Sequence, residues 1–185
     1  YYVSSSQGND LNNGLSIQSP FQSIEKLNSM QFNPGDSIYF KSGDYWEGMF
    51  WISGSGSLTQ PIVIDVYGGN NRPIINGFGY QSSILIFNDQ HIHINGLELY
   101  NSFYHLDSAG VIKQLPGFGG VENSWGSGKN IRFGIKVVAS SQDLENFSFN
   151  NLYIHDVYPT PDIASNIHLG YGIKLETQSD TVSGL

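Results

Sequence analysis

The stretch PGDSIYFKSGDYWEGMFWISGSGSLTQPIVIDVYGGNNRPIINGFG, residues 34–79, decides how the chain is read. Short runs of Ile, Val, Phe, Tyr and Trp alternate with Gly, Asn, Ser and Pro. Apolar residues recur at Ile38, Phe50, Ile62, Ile74 and Ile86, in 12-residue steps. A strand of about five or six residues plus a turn fills that step. No stripe of helical period runs through it, so the segment reads as successive strands in a regular rhythm. A β-sandwich and a solenoid both satisfy that pattern.

Working outward, two pairs of segments look alike. HIHINGLELYN (91–101) aligns with NFSFNNLYIHD (146–156) at an offset of 55, setting Ile92 on Phe147, Ile94 on Phe149, Leu97 on Leu152 and Leu99 on Ile154. FGIKVV (133–138) aligns with YGIKLE (171–176) at an offset of 38. Repeats at unequal offsets are expected of coils that carry insertions of different length, here 103–131 and 157–170. They favour a right-handed parallel β-helix over a sandwich, which needs no repeats and would show more two-residue hairpin turns. On the N-terminal side, Ser19-Pro20 reads as N-cap and first residue of the one amphipathic helix, with Phe21, Ile24, Leu27 and Met30 on its apolar face. Such a helix would cap the first coil, since a bare solenoid end leaves strand edges unpaired.

A length of 185 residues suits a single all-β domain: a strand, loop and capping helix over 1–33, first coils over 34–102, an insertion loop at 103–131 and further coils over 132–185. The segment DTVSGL aligns with only part of the earlier repeat, which predicts an open coil and an incomplete N-terminal portion of a longer β-helix, the remainder being its partner. With a formal charge of −8 and only 8 Lys and Arg, the chain lacks the clustered cations that nucleic acid demands. There is no Cys to report a redox compartment, and no apolar run approaches the 18 residues of a membrane span.

The N-terminal residues carry a resemblance. YYVSSSQGNDLNNGLSIQSPFQSIEKL, followed by the coils of 34–79, resembles the opening of extracellular parallel β-helix proteins of the pectin-lyase-like superfamily, a group of polysaccharide lyases and glycoside hydrolases. The resemblance implies a secreted, periplasmic or cell-surface protein that cleaves a polysaccharide, and calcium as a possible cofactor of its lyases. It transfers no catalytic residue, because the matching motifs build the cap and first coils.

Candidate chemistry falls in three groups. If Ile135, Val137, Ile173 and Leu175 face the core, Lys136, Lys174 and Glu176 face outward, and equivalent coils would stack the two lysines roughly 5 Å apart. Such a pair would bind a uronate, or lower the pKa of Lys174 so that it abstracts a proton in β-elimination; the plain alternative is Glu176 bridging them. His155, Asp156, Asp162, His168 and Tyr171 form the second group. These side chains offer acid and base for hydrolysis, or Asp156 and Asp162 offer a calcium site; otherwise His155 and Asp156 make a strand-end turn. Third, flat rings suited to sugar faces lie in the insertions, Trp125 and Tyr158 foremost. His91 and His93 read as surface residues of an alternating strand. The leading expectation is a lyase acting on an acidic glycan, the first alternative a hydrolase with paired carboxylates, the second a non-catalytic glycan-binding or adhesion β-helix. The acidic net charge disfavours a uronate substrate unless Lys113, Lys129, Arg132, Lys136 and Lys174 gather locally.

Overall fold

The computed structural model describes residues 1–102, 131–159 and 168–177. Trp125, Asp162, Lys113, Lys129, nearly all of the first insertion and the segment DTVSGL lie outside them. Among the described residues thirteen strands and one short helix follow in the order β1 (Tyr2–Val3), α1 (Ile24–Asn28), β2 (Ser37–Lys41), β3 (Tyr45–Glu47), β4 (Phe50–Ile52), β5 (Ile62–Tyr67), β6 (Ile74–Asn76), β7 (Ser82–Phe87), β8 (Ile92–Asn95), β9 (Glu98–Asn101), β10 (Ile131–Ala139), β11 (Phe147–Asn150), β12 (Tyr153–Val157) and β13 (Leu169–Thr177). They assemble into three sheets: A is β1-β2-β5-β8-β11, B is β3-β6-β9-β12, and C is β4-β7-β10-β13. Every strand pairing is parallel, and each sheet takes one strand from each turn of the chain. That is the pairing of a parallel β-helix and excludes the antiparallel sandwich.

The core is a set of vertical stacks. In sheet A, Ile38 lies on Ile64, and Ile64 on Ile94, which carries Phe149. Trp46, Ile75, Leu99 and Ile154 form the inward column of sheet B. Phe50, Ile84, Ile135 and Ile173 do the same in sheet C. Most are fully buried; identical or similar branched side chains one rung apart pack side against side, so each coil covers the apolar face of the next. The offsets of 55 and 38 are therefore true coil registers: Ile92 pairs with Phe147, Leu99 with Ile154 and Lys136 with Lys174. The 12-residue rhythm is something else. Ile38, Phe50 and Ile62 sit in sheets A, C and A, so the step follows the chain around the prism, and Ile74 points outward, half-buried.

The cap is built from side chains more than from helix. α1 begins at Ile24 with Ser23 as N-cap, whose hydroxyl accepts from Lys26 N, not at Ser19-Pro20. Phe21 instead bridges to Val3 as an extra rung of sheet A. The reason lies in Asp10: its carboxylate accepts from Gln22 N, Ser23 N and Ser23 Oγ, holding that backbone extended until residue 23. Asn28, the last helical residue, donates to Met49 O and accepts from Trp51 N, pairing with the open edge of β4 as a neighbouring strand would. Asp44 anchors the preceding loop through Ser4 Oγ, Ser6 N and Ser6 Oγ. Its burial opposes ionisation, but these hydrogen bonds prevail and hold its pKa below the usual carboxylate range.

Candidate active site on the outer face of sheet B

Register places Glu47, Asn76, Tyr100 and His155 in one outward column of sheet B, and Tyr45, Ile74, Glu98 and Tyr153 in the next. The two columns form a continuous polar and aromatic ribbon along the helix axis. At one end Tyr45 donates to Glu47 Oε1 at 2.9 Å and accepts from Asn76 Nδ2 at 2.9 Å, with the Tyr100 hydroxyl 3.4 Å away. Burial, reinforced by Tyr100 and the Glu47 carboxylate, pushes the Tyr45 phenol well above the ordinary tyrosine range.

At the other end His155 sits between two carboxylates. Its Nδ1 is 2.9 Å from Asp156 Oδ2 and its Nε2 is 3.2 Å from Glu98 Oε1. Tyr153 stacks on the imidazole at 4.4 Å between ring centroids, Tyr100 lies 5.4 Å away, and the Tyr158 hydroxyl donates to Asp156 Oδ1 at 3.0 Å. Partial burial disfavours the imidazolium, but its bonds to Asp156 and Glu98 outweigh that and raise the His155 pKa. The same contacts, first His155 and then Tyr158, hold Asp156 below the usual carboxylate range. When protonated on both nitrogens, the ring donates to both acids.

Adjacent strand residues normally point to opposite faces. Asp156 joins His155 on the same face because β12 is irregular there: the pairing skips from His155 to Val157, and Asp156 takes a left-handed φ of 47°. Asp tolerates that region better than most residues, and bulges of this kind re-aim side chains beside sites. The strand-end turn expected at His155-Asp156 is thus a bulge within the strand. Glu98 and Tyr100 were not singled out in the sequence, although the alignment of 91–101 with 146–156 sets Glu98 under Tyr153 and Tyr100 under His155. That vertical adjacency was the available signal.

The remaining candidates lie on sheet C or apart from the cluster. Lys136 and Lys174 do stack in register, but Lys136 is buried, 6% exposed, with its ammonium 3.1 Å from Gln81 Oε1, 3.6 Å from Glu176 Oε2 and 4.8 Å from the Phe133 ring centre. Burial lowers its pKa against the pull of Glu176, and Lys174 adds to the lowering. Lys136 thus points away from the core column, as expected, but is buried and not solvated, with Glu176 beside it. Lys174 lies over Tyr171, which stacks on Phe133. His168 is exposed and stands beside the start of β13. His91 is 8% exposed, in the turn before β8 with a φ of 55°, and His93 is half-buried on that strand, 3.3 Å from Asn146 Oδ1. His91 is thus no surface residue. Among the described residues no group of three His, Asp or Glu is arranged for a metal ion, and Asp156, expected as a calcium ligand, is engaged by His155 and Tyr158.

No protein-family model matches the chain. A curated lacto-N-biosidase of Bifidobacterium longum subsp. longum is 26% identical over 194 residues, covering 85% of this chain. This chain is similar to lacto-N-biosidases. The fold agrees: the crystal structure of a GH136 lacto-N-biosidase from Eubacterium ramulus, as its selenomethionine derivative, superposes with a TM-score of 0.72 over 98% of the chain at 24% identity. The native form of that protein gives 0.65 at 23% identity. The chain spans 12% of the length of the curated relative and 30% of the solved one.

Proposed function

We propose that the protein carrying this chain is a glycoside hydrolase and that its glycan lies along the outer face of sheet B. The observation that carries the reading is His155 clamped between Glu98 and Asp156 beside exposed tyrosine rings, in a chain similar to lacto-N-biosidases. Tyr153 and Tyr158 are 52% and 60% exposed, which leaves ring area free to meet a sugar face while the hydroxyls stay wet. Asp156, kept ionised by its partners, serves as the base that takes a proton from the attacking water, the protonated His155 gives one to the departing glycosidic oxygen, and Glu98 holds the imidazole from its other side. A further coil stacked on β13 belongs to the same proposal: Ile173 and Leu175 continue the columns of Ile135 and Val137 yet are 41% and 47% exposed.

The β-elimination reading has less support, because the similar proteins are lacto-N-biosidases and Lys136 is held by Glu176. The test is to incubate the protein with lacto-N-biosides and with acidic polysaccharides, reading reducing ends and ultraviolet absorbance together. Hydrolysis gives reducing ends without absorbance. An unsaturated, absorbing product would overturn the proposal, and binding without either signal would favour a non-catalytic glycan-binding role.

A further inference from the structure

A second polar cavity lies away from this ribbon, where the chain passes from sheet A to sheet B. It encloses about 290 Å³, near the lower end of small-ligand sites. Asp65, Asn70, Asn71, Arg72, Asn95 and Asn151 line it, from three successive coils. Two glycines, Gly69 and Gly96, complete the wall; a Cβ on Gly96 would meet Val66 Cγ2 at 2.8 Å, and its φ of 79° favours glycine as well. Arg72 reaches past Gly96 and spends two of its N–H groups on Asn151, one on the backbone carbonyl and one on Oδ1 at 2.8 Å. Asp65 uses Oδ1 twice, accepting from Asn95 Nδ2 and from Val66 N, both at 2.8 Å.

The acid and the base therefore share one cavity without forming an ion pair with each other among the described residues. Arg72 keeps three of the five donors of a guanidinium, and Asp65 keeps Oδ2 as an acceptor. A free anion would meet Asp65, and a free cation would meet Arg72. A neutral polyol satisfies both, because each hydroxyl donates to one group while accepting from another, and four asparagines line the same cavity. We propose that this cavity is a binding subsite for one neutral sugar residue, separate from the outer face of sheet B. It stands whether or not the chain takes part in hydrolysis.

Saturation-transfer NMR on the full chain, with methyl β-galactopyranoside, N-acetylglucosamine and sodium glucuronate as separate probes, tests it. A neutral sugar is expected to bind at millimolar strength and better than glucuronate. Asp65→Asn, which preserves the Oδ1 acceptor, is expected to weaken that binding by about tenfold, the effect of losing a charged hydrogen bond. Asn70→Trp, at an exposed position on the rim, is expected to abolish it, and decides the matter if Asp65→Asn lowers the melting temperature. Absence of transfer to either neutral sugar, tighter binding of glucuronate, or binding that survives both substitutions would overturn the proposal. Tyr153→Ala together with Tyr158→Ala strips the exposed rings from the sheet B face and should leave this binding intact, and both cavity substitutions are read in that background, so failure at the sheet B site and failure here are read separately.

Discussion

At the scale of single residues, His155 and Asp156 make opposite demands on pH. The His155 pKa is raised above its ordinary 6.5, so its contribution to stability is complete below that value and is lost as pH rises through the folded pKa. The Asp156 pKa is lowered below 3.8, so its contribution is present above that value and is lost on acidification through the folded pKa. The cluster is at its strongest between the two. The melting temperature of the protein should therefore exceed that of His155→Gln by more at about pH 5.5 than at about pH 8.5, measured by thermal unfolding at fixed ionic strength. For activity, Asp156→Asn should cut kcat by about 10²–10⁴-fold if Asp156 is the base. A rise in KM alone would make it a binding residue. Lys174→Met, on another sheet, should leave kcat unchanged, whereas a β-elimination base could not be lost without consequence. His155 and Asp156 were legible in the sequence as a pair of chemically able residues. Their joint orientation was not, because it depends on a left-handed residue inside a strand whose alternation would otherwise separate them.

Single elements show how a side chain can finish a sheet. Asn28 closes the edge of β4 with its amide, giving Met49 O a donor and Trp51 N an acceptor. Replacement by Ala removes both of these hydrogen bonds and should cost about 1–3 kcal/mol in denaturant unfolding. In β10, a Cβ added to Gly134 would meet Ile154 Cγ2 at 2.5 Å and Gly172 O at 2.6 Å. Gly134→Ala should thus destabilise by about 1–3 kcal/mol through overpacking, although alanine ordinarily suits a strand no worse than glycine does. The helix illustrates what local pattern can and cannot say. Its apolar positions Ile24 and Leu27 were readable from their spacing, and both are buried. Its first residue was not, since the Asp10 carboxylate, 13 residues before Ser23, decides where extended backbone gives way to helix.

Across the whole molecule, stability is distributed among rungs that each touch only their neighbours. Ile94 packs between Ile64 below and Phe149 above, at zero exposure. Truncation to Ala should cost about 2–5 kcal/mol by opening a cavity in two interfaces at once, a loss that equilibrium unfolding would measure. The same stacking assembles the candidate site, because residues 55 apart in sequence, Tyr100 and His155, become rung neighbours. The parallel coils and the register of the aligned repeats followed from the amino-acid sequence alone, though the 12-residue step did not: apolar alternation and turn residues are local properties, and similar segments must occupy equivalent rungs if their apolar faces are to be buried. Which outward faces acquire chemistry was decided only in three dimensions. The depth of Lys136 and the placing of Asp65 and Arg72 in one cavity depend on which residues of distant segments close over them, and the bulge that turns Asp156 toward His155 depends on a left-handed residue within a strand, none of which a window of sequence shows.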